Sequence, residues 1–192
     1  VIEAAQIARK IPAGILRKFA FEKLVPFQRH VWEQILDEAE AQILDESPVP
    51  IFGSDVSHRM VDFAQRNAER AGVADTINLR GGDALQRMPP CEQPGMMLLN
   101  PPYGERIAAA GSYGRKAAER MDALERAGRE TAQTDDGGEF FSQLASHWKK
   151  NYSGWSGWML TPDLKLPGQM RLKESRRTPM WNGPIECRLF CF

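Results

Sequence analysis

Asn100-Pro101-Pro102-Tyr103 is a set of residues suited to chemistry on an aromatic amine. An exocyclic base amine is a weak nucleophile, because its lone pair is delocalised into the ring. The Asn100 side-chain oxygen and a proline carbonyl can both accept from its N–H groups. Pro101 has no N–H of its own, and its fixed φ stiffens the turn that aims the carbonyl. Two fixed acceptors hold the amine and favour the charge that develops as it attacks. Tyr103 could stack on the face of the base, an interaction worth roughly 1–3 kcal/mol. The alternative for the same four residues is a proline-rich turn with a packed tyrosine.

Something must hold that turn at a site. Met96-Met97-Leu98-Leu99 runs straight into it, with the length and composition of a buried strand. The two prolines then forbid both helix and further ladder pairing, so Asn100 sits where a core strand stops. Open α/β sheets bind ligands outside the carboxyl ends of their strands. Two acids fall in the same kind of place. Ile51-Phe52-Gly53-Ser54-Asp55 reads as a short strand ending in a carboxylate. Ser57 is a candidate cap for the helix that follows, whose apolar stripe is Val61, Ala64, Ala68 and Ala71, with Gly72 as its stop. An acid at such a strand end can accept both ribose hydroxyls of a nucleoside; a capping or helix-dipole acid is the alternative. Thr76 to Gly81 is the next predicted strand, and Asp83 lies just past it. Asp55, Asp83 and Asn100 thus end three successive strands, and parallel strands joined by crossovers bring such ends to one edge.

The remaining elements follow from periodicity. Val1 to about Arg9 reads as a helix that opens without a capping residue, as a chain entered in mid-pattern would. Residues 28–44 are helical, with Val31, Ile35, Ala39 and Ile43 on one face. Phe19, Phe21 and Phe27, near Lys18 and Lys23, suit a packed connector, since aromatics usually go to the core; a nucleic-acid surface is the alternative. Phe140 to Tyr152 is a helix presenting Phe141, Leu144 and Trp148, and Trp155 to Leu160 is a strand. Met170 to Phe192 reads as a hairpin turning at Asn182-Gly183. Its Arg171-Leu172-Lys173-Glu174-Ser175-Arg176-Arg177 run is the densest basic patch, either a phosphate contact or an edge strand guarded by charge. Residues 107–138 change character: small, then charged, then polar. A long connector beside a site is often a lid, with Tyr113, Arg115 and Lys116 in reach of substrate. A solvated loop is the other reading.

The chain has 192 residues, 42% apolar and 26% charged, the make-up of one ordinary globular domain with a sizeable core. Lys plus Arg equals Asp plus Glu, so the net charge is zero. A free-standing nucleic-acid binder usually carries a basic excess. Tight substrate capture is therefore expected from a local patch or from elsewhere. No run of about 18 apolar residues indicates a membrane span, and no signal peptide is readable. Cys91, Cys187 and Cys191 form no metal or redox motif. The last two stand about 13 Å apart along a strand, too far for a disulfide, as suits reduced cytoplasmic thiols. His30, His58 and His147 are scattered, without ligand spacing.

Asn-Pro-Pro-Tyr is similar to the signature of amino-group methyltransferases that use S-adenosylmethionine. The longer Leu-Asn-Pro-Pro-Tyr-Gly-Glu-Arg string resembles the bacterial 23S rRNA guanine-N2 methyltransferases, often labelled N6-adenine-specific DNA methylases. The likeness runs from Ile2-Glu3-Ala4-Ala5 to Glu186-Cys187-Arg188-Leu189. It includes a Lys-x-Ser-Arg-Arg-x-Pro string and the Asn-Gly turn. The resemblance implies an α/β Rossmann-like S-adenosylmethionine-dependent methyltransferase over residues 1–192, with a mostly parallel sheet and an antiparallel strand from the C-terminal hairpin. It implies catalytic roles for Asn100, Pro101, Pro102 and Tyr103. It implies cofactor contacts from Asp55 to the ribose, from Asp83 to the adenine amino group, from the Ala84 backbone to the ring, and from Asn100. Arg106, Arg171, Lys173, Arg176 and Arg177 become candidate substrate contacts. The partner implied is ribosomal RNA, with DNA as the second candidate and a non-catalytic RNA-binding domain as the reading from another class. In the family a strand and a glycine loop precede the first helix; they are absent here, and an RNA-capturing domain is expected upstream. A direct in-line transfer to an unpaired or flipped base would rest mainly on positioning.

Overall fold

A computed structural model describes residues 1–101 and 137–192. Pro102, Tyr103, Arg106, Tyr113, Arg115 and Lys116, and with them nearly all of the predicted lid, lie outside the described residues. The described chain divides into two compact units, Val1–Gly82 and Asp83–Phe192.

In the first unit, α1 (Ile2–Ala8) and α3 (His58–Arg70) accompany two parallel strands, β1 (Ile51–Asp55) and β2 (Ile77–Gly81), paired from Ile51↔Ile77 to Asp55↔Gly81. The parallel pairing needs a crossover, and α3 supplies it. The core is small: Ala5, Ala68, Val73 and Ile77 are buried, with Ile2, Ile11, Ile51 and Leu79 around them. Small residues on α1 and α3 let both helices come close to the strands. Arg9 ties the unit together. Its Nε donates to the Leu44 carbonyl at 3.0 Å and its Nη1 to the Gly72 carbonyl at 3.3 Å. Two expectations need correction. Ser57 occupies the cap position of α3, but its side chain makes no capping hydrogen bond; its own backbone N–H donates to Asp55 Oδ1. The Phe19–Phe27 segment forms a 3₁₀ turn, Ala20–Lys23, and is not packed into the core. Phe19 and Phe21 stack on each other and meet Trp32 of α2 (Arg29–Glu40) edge-on, while no residue of α2 is buried.

The second unit holds a four-stranded mixed sheet in the order β3-β4-β6-β5. Strand β3 (Met96–Leu99) runs parallel to β4 (Ser156–Thr161). The C-terminal hairpin, β5 (Arg176–Asn182) and β6 (Ile185–Cys191), adds two antiparallel ladders. Helix α4 (Gly137–Asn151) lays Leu144, Ala145 and Trp148 on Met159 and Phe190. This matches the apolar stripe read from sequence. A short helix, α5 (Leu166–Met170), was not expected from its Pro167 and Gly168. It forms because Leu166 and Met170, one turn apart, are both fully buried in that core. The hairpin accordingly starts at Arg176 rather than Met170. Its turn is at Asn182-Gly183, with Gly183 at φ +61, where a side chain would be strained.

Two sheet details matter below. Gly157 and Phe192 exchange both backbone hydrogen bonds, so on β6 residues 188 and 190 also face β4, and residues 185, 187, 189 and 191 face β5. Pro179, opposite Arg188, therefore turns its nitrogen to the open side of β5, where no ladder donor is missed. Gly157 is also closely hemmed in: a Cβ there would lie 2.7 Å from the Trp148 ring. Gly157→Ala is expected to destabilise by about 1–3 kcal/mol through overpacking. Thermal melting followed by circular dichroism checks this, as a drop of several degrees.

Candidate functional site

Asp55 ends β1 and is exposed. One carboxylate oxygen, Oδ1, accepts the Ser57 N–H at 2.8 Å, and its backbone carbonyl accepts the Gly82 N–H at 3.0 Å. These bonds hold the carboxylate at the strand end. Among the described residues Oδ2 accepts nothing, which leaves it available for a hydroxyl. Across the pair, Gly81 has the His58 ring packed on it, 2.5 Å from where a Cβ would stand. Gly82 follows at φ +148 and turns the chain out of β2.

Asp83 opens the second unit in the same way. Its Oδ1 accepts the Leu85 N–H at 2.9 Å and its carbonyl the Gln86 N–H at 3.1 Å, an Asx turn. Its Oδ2 is likewise unengaged among the described residues, and Ala84 is exposed beside it. The loop beyond is fastened to α4. The Arg87 carbonyl receives the Tyr152 hydroxyl at 2.7 Å and His147 Nε2 at 2.7 Å. Asn151 Nδ2 stands 2.9 Å from His147 Nδ1, which assigns the proton to Nε2. Burial pushes the Tyr152 phenol above its ordinary range, against the pull of the nearby Arg87 guanidinium, so Tyr152 remains a donor. Nothing in the spacing of the scattered histidines marks His147 for this contact. A side chain meeting a carbonyl some sixty residues away leaves no local pattern to find.

Asn100 is exposed immediately past β3, and Pro101 is half-buried. Met97 and Leu99 pack against the core cluster, so the strand is anchored up to the residue before the asparagine. The asparagine itself is left free of the core. The strand stops where the prolines predict, but it is not the buried strand that the apolar run suggests: β3 lies at the edge of its sheet, with Met96 and Leu98 exposed on its open face.

The basic residues separate. Arg171 caps α5 in the left-handed region, φ +49, and its carbonyl accepts from Lys149 at 2.9 Å. Lys173 is exposed in the connection to β5. Arg176 and Arg177 lie on β5, the far edge of the sheet from β3. The register nonetheless levels them with the end of β3. Leu98 aligns through Trp158 and Cys191 with Arg176, and Leu99 aligns through Met159 and Phe190 with Arg177. The Arg177 guanidinium stands 5.6 Å from the Phe190 ring, a cation–π contact that holds it over the sheet. Cys187 and Cys191 are buried thiols. Among the described residues no cluster of His, Cys, Asp and Glu could hold a metal, and no helix is long and apolar enough to cross a membrane.

Comparison with known proteins gives the family and the fold. Residues 1–130 match the UPF0020 family model, described as the RMKL-like methyltransferase domain. The ribosomal RNA large subunit methyltransferase K/L of Shewanella baltica (strain OS185) is 33% identical over 97% of this chain. That of Shewanella pealeana is 34% identical over the same share. The chain spans 23% of the length of either relative. Among solved structures, a possible methylase from Clostridium difficile 630 superposes with a TM-score of 0.77 at 26% identity, over all of this chain and 44% of that one. SMU.472, assigned as a methyltransferase and solved with SAH, gives a TM-score of 0.79 at 24% identity, again over the whole chain and 44% of the other. An α/β chain whose strands end at Asp55, Gly81 and Leu99, in the fold of methyltransferases and matched by that model over most of its length, belongs to the UPF0020 family of RMKL-like methyltransferase domains.

Proposed function

We propose that this domain transfers a methyl group from S-adenosylmethionine to the exocyclic N2 amine of a guanine in 23S ribosomal RNA. The observation that carries the reading is Asn100. It is held at the end of a core-anchored strand, itself outside the core, and followed by a proline. The relatives named for the ribosomal RNA large subunit support the RNA substrate.

S-adenosylmethionine, when bound, supplies an electrophilic methyl carbon on a sulfonium leaving group. The residues present fit it: Asp55 and Asp83 each keep one carboxylate oxygen unengaged, while the other is fixed by the chain's own N–H groups. Asp55 would accept from the ribose hydroxyls and Asp83 from the adenine amine, with the Ala84 backbone beside the ring. The chain's part in the reaction is positioning. Asn100 Oδ1 and the Pro101 carbonyl accept the two N–H groups of the target amine and align its lone pair for in-line attack. Pro102 and Tyr103 are assigned to the same role, with the tyrosine ring as the group that would stack on the base. The cofactor would supply the methyl carbon and its sulfur would keep the electrons of the broken C–S bond, while the surplus proton of the target amine would leave to solvent. Arg106, Arg171, Lys173, Arg176 and Arg177 serve the phosphates of the RNA. An enzyme of this kind works in the cytoplasm, with an RNA-capturing domain in the full-length protein as its partner.

Tritium transfer from labelled S-adenosylmethionine into 23S rRNA and into duplex DNA, followed by nucleoside mass spectrometry, tests this. The expected product is N2-methylguanosine in RNA. Label only in DNA, as N6-methyladenine, overturns the substrate. No label together with no calorimetric binding of S-adenosylmethionine favours a non-catalytic RNA-binding role.

A further inference from the structure

We infer that the tip of the β5–β6 hairpin is a nucleobase-stacking finger, with Trp181 binding an unpaired base of the RNA that flanks the target; this rests on the RNA reading above. Strand β5 runs in the same direction as β3, because it is antiparallel to β6, which is antiparallel to β4, which is parallel to β3. The register that aligns Leu99 with Arg177 puts Asn100 level with Thr178. Strand β4 ends at Thr161, opposite Arg188 and hence Pro179. The pairs Met180↔Cys187, Trp181↔Glu186 and Asn182↔Ile185 therefore form a two-stranded ribbon that continues past the end of β4. Trp181 stands about 10 Å beyond the level of Asn100 by strand rise, and about 14 Å across the sheet by strand spacing. A single strand of RNA whose target base meets Asn100 passes within that span.

The chemistry at the tip fits a base better than a protein. Trp181 is 67% exposed, on the strand face opposite to the buried Cys187. Polar Asn182 and Glu186 flank it; the exposed Met180 lies on the opposite strand face, so the ring with the exposed Pro179 and Pro184 makes only a small apolar patch, short of the kind that marks protein docking. Glu186 is held by Arg188 at 2.7 Å, which compensates the one acidic charge facing the indole across the ladder. At the foot of the same strand, Arg176 and Arg177 offer cations to the backbone. An exposed ring above a basic foot is the pairing used for single strands: stacking for the base, charge for the phosphates.

The test uses the protein expressed from its complete gene. A single-stranded RNA oligonucleotide of mixed sequence is the binding probe, and a 23S rRNA transcript is the methyl acceptor. Trp181→Ala is expected to weaken oligonucleotide binding about tenfold, as loss of one stacked base predicts. It should raise KM for the transcript by a similar factor, leaving kcat and S-adenosylmethionine affinity near wild type. Trp181→Phe, which keeps a stacking ring, should recover most of the loss; a merely structural role would not give that split. Binding by Trp181→Ala within about twofold of wild type, less than 1 kcal/mol, overturns the inference. Should the alanine variant melt early, fluorescence decides: RNA must quench the wild type more than Trp181→Phe, and equal quenching overturns it. A change of oligomeric state at unchanged RNA affinity assigns the finger to a second copy of the chain, and also overturns it. If the wild type binds and methylates RNA while Trp181→Ala behaves identically, only the finger falls. If the wild type neither binds nor methylates RNA, the substrate reading falls with it.

Discussion

Asn100→Ala is expected to slow methyl transfer by roughly 10²–10³-fold, the cost of removing one preorganised group that stabilises developing charge. Without the side-chain oxygen, one N–H of the target amine is unheld. The lone pair is then no longer directed along the line of attack, and the growing positive charge loses its nearest partial negative charge. Stability should not follow: Asn100 is exposed and outside the core clusters, and surface substitutions of that kind usually cost less than about 0.5 kcal/mol. Asn100→Asp supplies the control. A carboxylate keeps an acceptor at the same place, so this variant should retain more activity than the alanine form. Single-turnover transfer at saturating S-adenosylmethionine measures the chemical step alone. A rate for Asn100→Ala within about fivefold of wild type, near 1 kcal/mol, would remove the asparagine from the mechanism.

Phe190→Ala should be the most damaging single change to the second unit, at about 3–5 kcal/mol. The ring is fully buried. It packs in one cluster with Leu144, Trp148, Met159 and Leu166, lies 6.3 Å from the Phe192 ring and carries Arg177 on its other flank. It therefore joins α4, α5, both inner strands and the edge strand in one contact. Truncation leaves a cavity these elements cannot close without breaking two ladders. A loss of that size is a large part of the 5–15 kcal/mol that typical domains possess. Urea melts of Phe190→Ala and Phe190→Leu check it: the leucine form, which refills most of the volume, should lose clearly less. A midpoint for the alanine form equal to wild type would mean that the hairpin does not belong to the core.

Most of what positions the site was legible before the coordinates. The four-residue apolar run into two prolines could only be a strand that stops, and β3 stops at Leu99. Asp55 ends β1 as read, and the Asn-Gly pair turns the hairpin. What was hidden has physical reasons. Helix α5 carries a proline and a glycine, and only burial of Leu166 and Met170 makes it helical, so tertiary contact overrides local preference. Ser57 looks like a cap from its type and place, but its hydroxyl takes no N–H of α3 and its own N–H goes to Asp55. Phe19, Phe21 and Phe27 have the composition of a core segment, yet they satisfy one another and Trp32 at the surface. The clasp of His147 and Tyr152 on the Arg87 carbonyl joins positions 60 and 65 residues apart, beyond any pattern of spacing. The level of Arg176 and Arg177 with the end of β3 depends on strand order, which a sequence does not print.

The outward-facing nitrogen of Pro179 bears on how the molecule behaves in company. An open strand margin is an invitation to a neighbour's backbone, and repeated acceptance of that invitation ends in fibres. Midway along β5 the next chain would find a ring where it needs a hydrogen, between Thr178 and Met180 and close to two arginines that repel their own copies. Growth by adding strands to this margin is thus blocked, and the hairpin can stand exposed at high concentration without sticking to itself there.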